Sequence, residues 1–374
     1  MSRSTTSRRM PQSGIKGFTI IEIMVGLAIG LLTLLAIYQL FAVSEGRRRT
    51  VASVSQGQSA GALALFAIER EIRSAGLGFA SLDTNFLGCN VKASNTARSP
   101  AAFEFPFQPV QIKDGKELWV LTGSSGNMFV GSRFSGSLNG VFKMEKSNAG
   151  FQAGDLMVGT NDTNTSNCLM IEVTKGVGDV LTLPSGGTEA YQGVEHKASG
   201  YTNFYTGEAV TASHNGSDNN MLDSSATSLG EGWIYSLGPK PTLSVWKLNN
   251  GQLMRYNALV EEDTAAVSVA QDVLQMVAEY GYDEDNSGKI DKSGEWTATT
   301  PAQPNLGKLI AVRVAMLVRT SQFEKDEVTT DNPRWANGDK QFDMTLVDAN
   351  WKHYRYRVYE SVIPLRNTIW GQMQ

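Results

Sequence analysis

The chain has 374 residues, enough for one large domain or two of ordinary size. Hydrophobic residues make up 41% and charged residues 19%, the composition of a folded protein, which excludes a disordered or low-complexity chain. A formal net charge of −4 excludes the basic field that a general nucleic-acid binder needs, so no nucleic-acid partner is expected.

Residues 1–17 contain Arg3, Arg8, Arg9 and Lys16 and no acid, and an apolar run starts directly after Gly17. From Phe18 to Val43 there are 26 residues interrupted by a single carboxylate, Glu22. As a helix that run reaches about 39 Å, enough to cross a hydrocarbon core of about 30 Å. An ordinary secretory signal has a shorter apolar core, with its small-residue cleavage site behind it. Here the small residue comes first, so cleavage leaves the helix on the mature protein. A charged side chain in such a segment costs about 2.5–3.5 kcal/mol on insertion scales, which makes Glu22 a candidate functional residue. The basic leader favours a cytoplasmic N-terminus, whereas Arg47–Arg49 on the other flank pull the opposite way, so charge alone leaves orientation open. Gly26 and Gly30 share a helix face at a spacing that permits close helix approach, or are simply two small residues in an apolar span.

The order of basic leader, Gly17, Phe18, apolar run and Glu22 resembles the class III signal of type IV prepilins. The resemblance implies that a prepilin peptidase cuts between Gly17 and Phe18 and methylates the new Phe18 amino group. Glu22, at the fifth mature position, would then compensate that amino group, its own or a neighbour's, during helix packing. The implied location is the inner membrane, crossed once, with the N-terminus cytoplasmic and the C-terminal domain periplasmic, followed by the pilus or cell surface.

Helical character continues over residues 44–78. Val51, Val54, Ala62, Leu65, Ile68 and Ile72 recur at three- and four-residue steps and predict one apolar stripe, with Arg47–Arg49, Glu69, Arg70, Glu71 and Arg73 mainly off it. Gly76 and Gly78 are stop signals.

Residues 79–374 read as short strands separated by turns. Strands are expected at Leu118–Leu121, Leu156–Val158, Leu169–Val173 and Val180–Leu183, and a hairpin at 243–256 turning on Asn249-Asn250-Gly251. Asp272–Tyr282 places Leu274, Met276, Ala278 and Tyr280 on one face. Leu309–Arg319 places Ile310, Val312, Val314, Met316 and Val318 on one face, with Arg313 and Arg319 on the other. Tyr354–Tyr359 alternates again and runs towards Pro364-Leu365-Arg366-Asn367. The stretch 121–235 is rich in Gly, Ser, Thr and Asn; Asn161–Asn167 and Ala212–Gly230 read as surface loops, and residues of about 90–240 as an inserted β-subdomain. Cys89 and Cys168, the two cysteines, lie beyond the membrane segment. In an oxidising compartment they read as one disulfide, which on a chain-entropy argument adds roughly 4.5 kcal/mol for a loop of about 80 residues; the alternative is two buried free thiols.

The prepilin start, the strand ending Tyr280-Gly281-Tyr282-Asp283, the acidic loop after it and the closing Pro364-Leu365-Arg366-Asn367 together resemble the PilW group of minor pilins. The implied fold is α+β and pilin-like: a long N-terminal helix, membrane-spanning over 18–43 and amphipathic over 44–78, packed on an antiparallel sheet domain, 79–374, that carries a large loop-rich β insertion. The implied role is a structural subunit that primes or joins pilus assembly in the tip complex. Implied partners are other minor pilins, the major pilin, the prepilin peptidase, the inner-membrane assembly platform and membrane lipid. A pseudopilin of a type II secretion system would share the N-terminus, and an anchored surface adhesin could use the long middle region for a ligand.

Asp283-Glu284-Asp285-Asn286-Ser287-Gly288-Lys289-Ile290-Asp291 follows the first nine positions of a calcium loop, with hard oxygen donors at alternate positions. Asp283, Asp285, Ser287, the Lys289 carbonyl and Asp291 are candidate ligands. Position twelve is Gly294 where a bidentate Glu belongs, and Glu295 stands one residue late. The alternative is a solvated acidic connector, and no cofactor other than Ca²⁺ is expected. His196, His214 and His353 are isolated in sequence and read as scattered surface histidines. No catalytic motif appears, so an enzyme is not expected.

Overall fold

A computed structural model describes residues 17–79, 86–125, 131–138, 140–145, 150–162, 164–176, 180–182, 188–190, 193–215, 231–292 and 294–372. The basic leader residues Arg3, Arg8, Arg9 and Lys16, Leu183 and most of the Ala212–Gly230 loop lie outside them. The chain divides between Val54 and Ser55 into two units.

In the first unit, Gly17–Thr19 have no regular structure and helix α1 (Ile20–Ser74) begins. Its Ile20–Gly46 stretch is long and apolar enough to cross a membrane. Large apolar side chains from Phe18 to Phe41 are exposed, and nothing lies within 4 Å of a Cβ built on Gly26 or Gly30.

In the second unit, the end of α1 packs on a body made mostly of antiparallel sheets. A four-stranded sheet has the order Trp296–Thr297, Val273–Tyr282, Leu309–Arg319, Tyr356–Pro364. A five-stranded sheet has the order Val267–Gln271, Gln252–Asn257, Thr242–Asn249, Glu117–Thr122, Val110–Lys113. Its central hairpin turns on Asn250-Gly251 with φ of 48° and 74°, the left-handed pair that a tight two-residue connection requires. An eight-stranded sheet takes all its strands from residues 90–238; one neighbouring pair, Asn90–Ser94 with Asn164–Glu172, is parallel.

One large core joins the inner faces of the sheets to Ala64, Ile68, Ile72 and Ala75 of α1. The seam of α1 is rotated from the expected stripe. Val51 and Ala62 are exposed and Leu65 is half-buried, while Gly61 and Ala64 are buried; the Val54 side chain lies outside the described residues. The reason is close approach: a Cβ on Gly61 would stand 2.4 Å from the Tyr359 ring. A count of bulky apolar residues passes over such small ones.

Two further expectations are corrected. Asn161–Asn167 is not a loop: Leu156–Asn161 and Asn164–Glu172 form a tight hairpin. The face of Leu309–Arg319 that carries Arg313 is buried as well: Ala315 and Leu317 form a second core with Trp335, Phe342 and Met344. Arg313 is buried there, donating to Glu279 Oε2 at 2.6 Å and lying 4.4 Å from the Trp296 ring centre; Lys340 also contacts Glu279. Leu274 is only half-buried, and Val273 takes a core position instead, because a bulge shifts the register between Val273 and Gln275.

Candidate functional site

The head of α1 is built from Thr19 and Glu22. The Thr19 N–H and hydroxyl donate to Glu22 Oε2 at 3.0 and 3.1 Å, and the Glu22 N–H donates to Thr19 Oγ1 at 3.3 Å. This reciprocal capping box satisfies orphan donors at the helix start and places a carboxylate where the helix dipole favours one. Thr19 is missing from the residues expected to matter, although Thr-x-x-Glu ahead of an apolar run is a recognisable cap. Phe18 is 84% exposed, and the Gly17–Phe18 bond lies ahead of the helix.

The other end of α1 sits in a cradle of specific polar contacts. Glu71, expected off the buried stripe, accepts from Trp246 Nε1 and Arg255 Nε, each at 2.7 Å. Trp246 itself is 1% exposed. The Ser361 hydroxyl donates to Glu69 Oε1 at 2.6 Å, and the Tyr359 hydroxyl donates to the Gln58 carbonyl at 3.1 Å. Asn367 Nδ2 donates to the carbonyls of Ser74 and Ala75, at 3.2 and 2.9 Å, which closes the helix C-terminus from a distant part of the chain. Asn367 is the last residue of Pro364-Leu365-Arg366-Asn367, so this closing motif acts physically by satisfying the end of the helix.

The acidic loop leaves the four-stranded sheet after Tyr282. Asp283, 4% exposed, accepts from the N–H groups of Ser287 at 2.9 Å and Gly288 at 2.6 Å. Asp285 is exposed and receives Lys292 Nζ at 2.5 Å, a pairing that holds its carboxyl well below the usual range. Glu295 is fully buried, and its Oε2 accepts from the N–H groups of Asp291 and Lys292, each at 2.7 Å. Asp283, Asp285 and Glu295 each bring one oxygen within 4.8 Å of the others. Ser287 and Lys289 are exposed beside them, with the Ser287 hydroxyl 3.5 Å from the Lys289 carbonyl. Asp291 is exposed and outside the three-carboxylate group; its N–H, not its side chain, faces Glu295.

Cys89 and Cys168 form a disulfide, Cα atoms 5.8 Å apart, between the parallel pair of strands. The histidine expectation is corrected: His196 and His214 are buried. His196 stacks on Phe142, and His214 joins a polar knot around Glu172. There the Tyr201 hydroxyl donates to Glu172 at 2.5 Å, and the N–H groups of Ser213 and His214 donate at 2.8 and 3.0 Å. Burial alone would raise the Glu172 carboxyl; the hydrogen bonds from His214 and Tyr201 outweigh it and bring it down to about 2. This knot anchors residues 200–215 to the eight-stranded sheet.

Comparison with known proteins places a family on the cradle and the loop. Residues 242–367 match the family described as Type IV Pilus-assembly protein W. No curated protein and no solved structure matches the chain. The matched span contains Trp246, Arg255, Tyr359, Ser361 and Asn367, the side chains that hold α1, together with the whole acidic loop. That family is one of structural pilus-assembly proteins and not of enzymes, and it is what residues 242–367 of the chain resemble.

Proposed function

We propose that the chain is a minor pilin precursor that primes or joins assembly of a type IV pilus, in the tip complex. The observation that carries this reading is the Gly17-Phe18 signal and Glu22 at the head of a helix whose last turns dock on the family-matched region. The peptidase performs the only chemistry: it cuts between Gly17 and Phe18 and methylates the Phe18 amino group. The apolar part of α1 then holds the subunit in the inner membrane, N-terminus cytoplasmic and body periplasmic, until it is extracted into the pilus.

In the precursor Glu22 caps its own helix through Thr19. Cleavage creates a cation one residue before that cap, and an anion away from water gains from such a partner, whether on this chain or on its neighbour. Leu63 and Phe66, both exposed, occupy the side of α1 opposite the Ala64–Ile68–Ile72 seam. They supply apolar surface for other minor pilins or the major pilin. The family match favours a pilus over a secretion-system pseudopilin.

The test is Glu22→Val, produced at normal levels in cells lacking the native copy. Cleavage after Gly17 should persist while incorporation into sheared pili is lost. Incorporation at the wild-type level would contradict the role given to Glu22.

A further inference from the structure

We propose that the 283–295 loop is a calcium site in which Asp283, Asp285 and Glu295 supply the carboxylates. Three acids close together are common on surfaces without any ion, so the cluster alone carries nothing. What distinguishes this one is Glu295. Its side chain is fully buried, and Oε1 has no hydrogen-bond partner even though Oε2 has two. A buried carboxylate oxygen left bare is costly, and folded proteins rarely tolerate one without an ion or water. The same carboxylate brings an oxygen within 4.8 Å of oxygens from Asp283 and Asp285. A cation bound among the three satisfies the bare oxygen and offsets the mutual repulsion of the acids.

The donor set selects the ion. The group contains no His or Cys, and what stands beside it is the Ser287 hydroxyl and the Lys289 carbonyl. An oxygen-only set suits a hard cation. Donors from side chains, hydroxyl and main chain on one short loop suit Ca²⁺, which accepts irregular geometry, better than Mg²⁺, which demands an octahedron and retains its waters. Lys292 on Asp285 is the cation that holds this position when calcium is absent; its side chain is exposed and free to swing out. Glu295 replaces the acid that the twelve-residue template requires one position earlier.

Binding would act on the sheet that carries the helix cradle. The Asp283 N–H donates to the Lys308 carbonyl and the Tyr282 N–H to the Glu295 carbonyl, so the loop closes across the ends of two neighbouring strands. Ile290 and Trp296 fold over Gly281 beside it.

The experiment uses the full chain in detergent, with Ca²⁺, Mg²⁺ and Tb³⁺ as probes. Calcium at a few millimolar should raise Tm by about 1–3 °C, the shift expected for a site with a Kd of about 10⁻⁴–10⁻³ M in a body of this size. Terbium should give luminescence sensitised through Trp296 that calcium displaces. Asp285→Asn, at an exposed position that leaves the fold intact, should weaken calcium at least tenfold, and the isosteric Glu295→Gln should do the same and also lose the terbium signal. No calcium shift in the wild type, an unchanged response in Asp285→Asn, or an equal shift with magnesium would overturn the assignment.

Discussion

The sheets that receive α1 and the eight-stranded sheet built from 90–238 are secured in different ways. In the first, the strands fix the helix with side chains far apart in sequence: Trp246 and Arg255 on Glu71, Ser361 on Glu69, Asn367 on the last carbonyls. In the second, the sheet lies between two cores. Val158 and Met170 face the main core, while Met157, Leu169 and Ile171 face a separate one. A disulfide and the Glu172 knot add local ties there. Only the first region carries the family match.

The sharpest way to break this contrast is Trp246→Ala. Loss of a fully buried indole and of its bond to Glu71 should cost about 3–5 kcal/mol. Hydrogen exchange should rise first over residues 58–74, with the eight-stranded sheet little changed; equal loss in both regions would erase the distinction. Replacing Cys89 and Cys168 together by Ala should cost about 2–5 kcal/mol, with protection lost in strands Asn90–Ser94 and Asn164–Glu172 before the helix loosens.

Acid should separate the regions too. Glu172 has its folded pKa pushed down to about 2, below the ordinary carboxylate value, so its contribution is complete above pH of about 4.5 and is lost as pH falls towards 2. The loss is about 2–3 kcal/mol, and Glu172→Gln should flatten that part of the stability–pH curve. The smallest effect is expected from Asn367→Ala, about 1 kcal/mol, read as fraying confined to Ser74 and Ala75.

Legibility in the sequence depended on whether the signal was local. The hairpin at 242–257 and the strands Val273–Tyr282 and Leu309–Arg319 were readable because alternation and an Asn-Gly turn are local signals. The start of helix α1 was readable because a long apolar run after a Thr-x-x-Glu cap is a local signal. Burial of Arg313 was not readable: a strand's second face is indistinguishable from a solvent face until Trp335 and Phe342 are folded over it. The seam of α1 was misplaced because its closest contact is made by a glycine. His214 looked isolated because its partner, Glu172, lies 42 residues away and on another element.

The most direct test of the pilin reading is the intact mass and N-terminal sequence of the protein from membranes of cells with and without prepilin peptidase. A chain beginning at methylated Phe18 only when the peptidase is present is the expected result. An uncleaved leader in both strains, or cleavage behind the apolar run, would contradict it.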